Sequence, residues 1–147
     1  MARENVVLSQ SKCFAVCIIQ LVQYLRQNRR PYFIIDQIGR SGTSIGANVT
    51  EAQHAISEKE FLQKMYIAYK ECSETLYWLD LLHASRYIEV EMYYSLSEKC
   101  RELEKLLTMI TKTTASHLNK KNIKFAALPY YNAPLLHFSF RISNFSL

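Results

Sequence analysis

Ile35, Ile38, Gly42, Ile45, Val49, Ala52 and Ile56 recur at alternating spacings of three and four. That interval draws one narrow apolar stripe along a helix and rules out a strand, whose period is two. Ser57 and Glu60 then form a capping-box pattern, in which hydroxyl and carboxylate accept from the first free N–H groups of a new helix. Two helices separated by so short a gap pack as antiparallel neighbours.

The same periodicity extends over most of the chain. A first helix is predicted from about Ser9 to Asn28, with Phe14, Cys17, Ile18, Leu21 and Leu25 inward. It stops at Asn28-Arg29-Arg30-Pro31, because the residue before proline is disfavoured in a helix. The second runs from about Tyr32 to Ala55. The third reaches about Ser85, with Phe61, Met65, Ala68, Cys72, Leu79 and Leu82 inward. The fourth runs from about Val90 to Leu118, with Leu96, Cys100, Leu103, Leu107 and Ile110 inward. Three Gly and three Pro in 147 residues leave such long helices uninterrupted. The expected fold is all-α: an antiparallel up-down-up-down four-helix bundle over residues 1–118, with a C-terminal extension over residues 119–147.

The second helix also carries a polar row. Asp36, Arg40, Ser44 and Asn48 follow one another at intervals of four, with Gln37 and Glu51 beside them. Such a row serves either as a hydrogen-bonded seam fixing helix register or subunit contact, or as a recognition surface in which Arg40 meets a phosphate. The structural use is favoured.

The segments Asp36-Gln37-Ile38, Arg40-Ser41, Ser44-Ile45, Ala47-Asn48 and Glu51, followed by Glu60-Phe61 and Ile67-Ala68, resemble the four-helix bundle family encoded in intervening sequences of bacterial large-subunit ribosomal RNA genes. The resemblance covers roughly residues 10 to 115. The accessory protein of diversity-generating retroelements is similar in fold. The resemblance implies a small bundle that assembles as a ring-shaped homopentamer with a nucleic-acid or ribonucleoprotein role. The chain departs from the family pattern at Gly42 and Thr50, where alanine, or alanine or isoleucine, is more usual, and at Ala52, where a glycine usually stands. The tail after His117 has no counterpart in it.

Charge is unevenly placed. Of 18 Lys plus Arg, only Lys112, Lys120, Lys121, Lys124 and Arg141 lie in residues 112–147, which hold no acid, so the net +5 resides there. Clustered cations suit nucleic acid, since phosphate contacts release condensed counterions; they also suit a solvated end. In an antiparallel bundle Lys12, Lys59, Lys64, Lys112 and Lys120 gather at the end where the tail leaves. Arg26, Arg29, Arg30 and Arg86 gather at the other, neutralised by Asp36, Asp80, Glu89 and Glu91. The candidate nucleic-acid-binding residues are therefore Arg40, Lys59, Lys64, Lys112, Lys120, Lys121 and Lys124. The candidate interface residues are Asp36, Gln37, Ser44, Asn48, Glu51, Tyr77 and Trp78. Leu76-Tyr77-Trp78-Leu79-Asp80-Leu81-Leu82 is apolar almost all round, and Tyr66, Tyr69, Leu106 and Met109 stand beside the inner stripes. A helix apolar on every side must be covered on every side. Self-association answers this; the tail folding back is the alternative.

In the tail, Asn119-Lys120-Lys121-Asn122 is expected to break the helix, and Pro129 and Pro134 bracket Tyr130-Tyr131. Leu136, Phe138, Phe140 and Ile142 then alternate with polar residues as in a strand. An unordered extension, strand pairing with another chain, and stacking of its aromatics on single-stranded bases all remain open.

No catalytic motif is present, and no enzyme activity, cofactor or metal is expected. Gly39, Gly42 and Gly46 follow no strand, so they mark close helix packing or a bend rather than a phosphate loop. Glu51-Ala-Gln-His54 has the form of half a di-iron site. Its nearest counterpart, Asp80-Leu-Leu-His83, lies roughly 30 Å away at ~1.5 Å per helical residue. Cys13, Cys17, Cys72 and Cys100 form no Cys-x-x-Cys pair and are expected to be four reduced core thiols. No apolar run reaches the ~18–20 residues of a membrane span, and Cys13–Val22 is followed by no cleavage site. A cytoplasmic protein without membrane contact is expected. Its partners are further copies of itself, pentamer favoured, and RNA or DNA. The other reading is an interaction scaffold docking a protein through the tail or the Tyr/Trp surface.

Overall fold

The computed structural model describes residues 5–126, with side chains described through residue 121. It contains four helices, α1 (Val6–Gln27), α2 (Tyr32–Ala52), α3 (Glu58–Ala84) and α4 (Val90–Ala126), and among the described residues no strand. α1 packs on α2, α2 on α3, α3 on α4, and α4 closes the square against α1 with no diagonal pair. Cross-helix pairs give the direction. Arg40 meets Glu71 and Glu74 while Glu51, further along α2, meets Lys64, so α3 runs back along α2. Asp80 meets Tyr93 and Ser73 meets Glu104, so α4 runs back along α3. The fold is the expected all-α, antiparallel four-helix bundle.

The ends form for local reasons. Asn5 caps α1, its side-chain oxygen accepting from the Leu8 N–H at 3.3 Å, while its amide donates to Gln53 at 2.7 Å and ties the start of α1 to the end of α2. At α3 the Ser57 hydroxyl accepts from the Glu60 N–H at 3.1 Å, and the Glu60 carboxylate accepts from the Ile56 N–H at 2.9 Å. That is the reciprocal satisfaction the Ser57/Glu60 spacing predicts. α1 and α3 both end in Schellman turns. The Arg30 N–H donates to the Leu25 carbonyl and the Tyr87 N–H to the Leu82 carbonyl, with Arg29 at φ 52° and Arg86 at φ 56° in the left-handed position between. Glycine normally takes that place, because a Cβ is penalised there. Arg29→Gly and Arg86→Gly are each expected to raise stability by about 0.5–1 kcal/mol, read as a rise in the denaturant midpoint at unchanged m-value.

The core holds the predicted inner residues Phe14, Ile18, Leu21, Leu25, Met65, Ala68, Cys72, Leu79, Leu82, Leu96, Cys100, Leu103 and Leu107, joined by Ile35, Ile38, Ile45, Val49 and Ala52 of the α2 stripe. Cys17, Phe61 and Ile110 pack at its edge. The three glycines line the α1–α2 seam. A Cβ on Gly39 would come within 3.2 Å of Val22, one on Gly42 within 2.6 Å of Ile18, and one on Gly46 within 3.3 Å of the Ser11 carbonyl. They are packing positions, as their lack of a preceding strand implies.

Several expectations are corrected. α1 begins at Val6 rather than Ser9. α2 stops at Ala52 rather than Ala55, its last carbonyls taken by i+3 donors from Gln53, His54 and Ala55. Ile56, counted in the apolar stripe, therefore falls in the connection and is 96% exposed. α4 does not break at Asn119–Asn122 or end at Leu118 but continues to Ala126. Four polar residues of moderate propensity do not stop a helix that meets no glycine or proline before Pro129. The four-core-thiol reading holds for Cys72 and Cys100; Cys17 is partly buried and Cys13 is exposed. The Cys100 thiol and burial together push the Cys72 thiol far above the usual range. α1 does reach the length and apolarity of a membrane span, with a mean hydropathy of 1.5 over an 18-residue window. Its buried stripe accounts for part of this, and outward-facing Val16 and Ile19, each about half exposed, for another part. The segment after Ala126, including the Pro129–Pro134 turn, the Leu136–Ser143 strand and Arg141, lies outside the described residues.

Candidate nucleic-acid interface

The α2 polar row faces α3. Arg40 donates through Nη2 to Glu74 and to Gln37 Oε1 (3.3 Å), and its Nη1 lies 3.6 Å from Glu71. Trp78 Nε1 donates to the same Glu74 carboxylate at 3.2 Å, with the Tyr77 ring edge-on to Trp78 at 5.1 Å between centroids. One residue further along each helix and facing the core, the Thr75 hydroxyl bonds the Ser41 hydroxyl at 3.1 Å, both fully buried. Asn48 donates back to the Ser44 carbonyl at 2.9 Å, and Glu51 pairs with Lys64. Asp36 is exposed. Of the row, Arg40 and Glu51 reach across to α3, through Glu71, Glu74 and Lys64, while Gln37 and Asn48 bond within α2. Glu71, Glu74 and Thr75 are the partners that the sequence reading missed. Their i, i+3, i+4 spacing is visible in the sequence, but not that it faces Arg40.

Glu71 bears on stability. Its Oε2 is buried with no hydrogen-bond partner, and Arg40 approaches only to ion-pair distance. Burial raises the Glu71 carboxyl above its ordinary value of 4.5; Arg40 opposes this, and Glu74 adds to it. A raised native value means that the unfolded chain ionises first, so stability falls as pH climbs through 4.5 towards the native value and stays lower above it. Glu71→Gln is expected to lose that dependence. Its stability relative to the parent chain should rise between pH 4 and pH 7, measured by urea unfolding at each pH. Parallel pH profiles would contradict the assignment.

The lysines gather as the antiparallel order requires. Lys59 and Lys112 flank an open groove of about 620 Å³ between α3 and α4, with Leu62, Gln63, Tyr66, Thr111 and Ala115 along it. Lys121 reaches across to pair with Glu58 at the start of α3. Lys59, Lys112 and Lys120 are exposed and, among the described residues, in no ion pair. The side chain of Lys124 lies outside the described residues. At the opposite end Arg30 stacks over the Tyr87 ring at 4.9 Å. Among the described residues the acids there form no ion pair with Arg26, Arg29, Arg30 or Arg86, so their expected neutralisation is not by direct pairing.

His54 is exposed, and His83 stacks on Tyr93 at 4.4 Å between ring centroids. Among the described residues no group of three His, Cys, Asp or Glu side chains stands close enough to hold a metal ion.

The 23S rRNA-intervening sequence protein family matches residues 3–109, nearly three quarters of the chain. The chain belongs to that family. A solved member is similar along nearly its whole length: a protein of unknown function from the S23 ribosomal protein family of Bacteroides thetaiotaomicron VPI-5482. The two share 44% identity over 72% of this chain and 98% of that one, with a TM-score of 0.71. No curated protein matches the chain. The family match takes in the whole α2–α3 seam and Lys59, and ends before Lys112. Lys112, Lys120, Lys121 and Lys124 therefore lie outside the matched residues.

Proposed function

We propose that the protein is a non-enzymatic, oligomeric nucleic-acid or ribonucleoprotein-binding protein, an accessory factor in an RNA or retroelement process, with its contact surface at the lysine end of the bundle. One observation carries the reading. The net positive charge of the chain lies in residues 112–147, and Lys112 and Lys120 of that stretch, like Lys59 of α3, are held by no acid among the described residues. Arg40, Lys64 and Lys121 are paired within the bundle and serve it first. Unpaired lysines on a helix end contact phosphates without reading sequence, so the surface should bind single-stranded RNA broadly. The family name connects its members with ribosomal RNA genes and is compatible with this reading.

Self-association has its own support. Tyr77 and the outward pair Val16 and Ile19 of α1 leave apolar surface exposed on a bundle whose core is already complete. A homo-oligomer, with a pentamer favoured, would cover them and multiply the lysine ends. The same exposed surface also suits a protein partner, which keeps the scaffold role as the second reading.

Fluorescence anisotropy with a labelled single-stranded RNA, titrated at several salt concentrations, tests the proposal. Binding that weakens linearly in log–log form with salt is expected. No binding even at low salt would overturn it.

A further inference from the structure

We propose that residues 127–147 of each subunit lie in that subunit's own α3–α4 groove. The groove lies between Lys59 and Lys112, two of the proposed phosphate contacts, but the covering of its apolar floor is read by a separate experiment.

The groove needs an occupant. Leu62, Tyr66 and Ala115 form its apolar part beside the α4 terminus. A second hollow of about 580 Å³ continues it along the same two helices past Tyr69, Thr108 and Met109. Tyr66 and Met109 are 54% and 59% exposed. Together they form an apolar channel on the outside of the bundle, running from the end where α4 emerges towards mid-bundle.

The chain supplies a matching segment. Residues 127–147 include Leu128, Tyr130, Tyr131, Leu135, Leu136, Phe138, Phe140, Ile142, Phe145 and Leu147, against a single charged residue, Arg141. A segment so apolar gains by leaving water. It begins about 16 Å beyond the channel mouth, since Ala126 lies eleven residues past Ala115 on α4. Twenty-one residues reach up to about 70 Å when extended. From Ala126 to Glu104, at the far end of the channel, is about 33 Å along α4. The segment can turn back and cover the full length.

Residue 109 marks the end of the family match. Thr111, Lys112 and Ala115 of the channel lie beyond it, as does the whole apolar segment. The solved relative is accounted for by 72% of this chain. The channel mouth and its proposed cover thus occur together, in the part of the chain that the family match leaves out.

The test places a photo-reactive p-benzoylphenylalanine at Tyr66 or at Met109 of the full-length chain, both exposed enough to accept it, and at Tyr94, 65% exposed, as a control. After irradiation the cross-linked peptides are identified by mass spectrometry. Cross-links from 66 and 109 to residues 127–147 within one polypeptide, migrating as single chains on a denaturing gel and absent from the Tyr94 control, are expected. Cross-links to the tail of another chain, running at twice the mass, would overturn the proposal in favour of an exchanged tail. Failure of both positions to capture the tail would overturn it outright. Neither result alters the RNA titration, so the two proposals fail independently.

Discussion

Ile18→Ala is expected to cost about 2–5 kcal/mol of stability, and Gly42→Ala about 0–2 kcal/mol, yet the double variant should lose clearly less than the sum. Ile18 is completely buried, and a Cβ on Gly42 would meet its Cγ1, Cδ1 and Cγ2 at 2.6, 2.9 and 2.9 Å. A β-branched side chain in a helix has essentially one χ1 well, so Ile18 cannot swing aside. Alanine at 42 gains roughly 1 kcal/mol in helix propensity but overpacks the seam by about 1–3 kcal/mol more than glycine. Removing the Ile18 side chain opens a cavity where the new methyl fits. A double-mutant cycle by urea denaturation reads the coupling. Simple additivity would mean that α1 and α2 do not pack at this crossing. The same contact gives a physical reason for one departure from the resembling pattern: with isoleucine at 18, residue 42 has no room for the more usual alanine.

Replacing Lys59, Lys112 and Lys120 together by alanine is expected to weaken binding to single-stranded RNA about 100-fold at 0.1 M salt. It should also lower the slope of log K against log salt by about 2. Each phosphate contact on a single strand contributes about 0.7 to that slope, and three such contacts at 0.1 M multiply to roughly that factor. All three side chains are exposed and in no ion pair among the described residues, so unfolding should be unaffected. Arg40→Ala offers the contrast. It removes the cation that faces Glu71 and Glu74, so it should reduce stability while leaving the salt slope unchanged. If Arg40→Ala lowered the slope and the triple variant did not, the contact surface would lie on the α2–α3 face instead.

Much of the fold was legible because the controlling signals are local. The alternation of threes and fours gave α2 and its core face, and Ser57 with Glu60 gave the start of α3. Arg30-Pro31 separated α1 from α2. Where reading failed, periodicity ran past the physical end of a helix. Ile56 keeps the stripe's spacing but stands after the backbone has turned. Asn119–Asn122 read as a break only because its residues are polar, which a solvated helical turn also is. The exposed Cys13 shows the opposite limit, an apolar residue type on an outward face.

The site was less legible. The polar row of α2 could be seen, but its role depended on which α3 residues lie opposite, and that register comes from the length of the α2–α3 connection. Only the structure brings Glu71, Glu74 and Thr75 to Arg40 and Ser41, and so separates seam residues from unpaired lysines. The concentration of charge in the last quarter of the chain was plain from the sequence. That Lys121 pairs with Glu58 while Lys112 and Lys120 do not depends on α4 continuing past residue 118.

The most direct measurement is light scattering of the full-length protein across a salt titration, with and without single-stranded RNA. The account predicts a particle several times the 17.2 kDa chain, about 86 kDa for five copies, that takes up RNA at low salt and releases it as salt rises. A 17.2 kDa particle whose mass is indifferent to RNA at every salt concentration would contradict it.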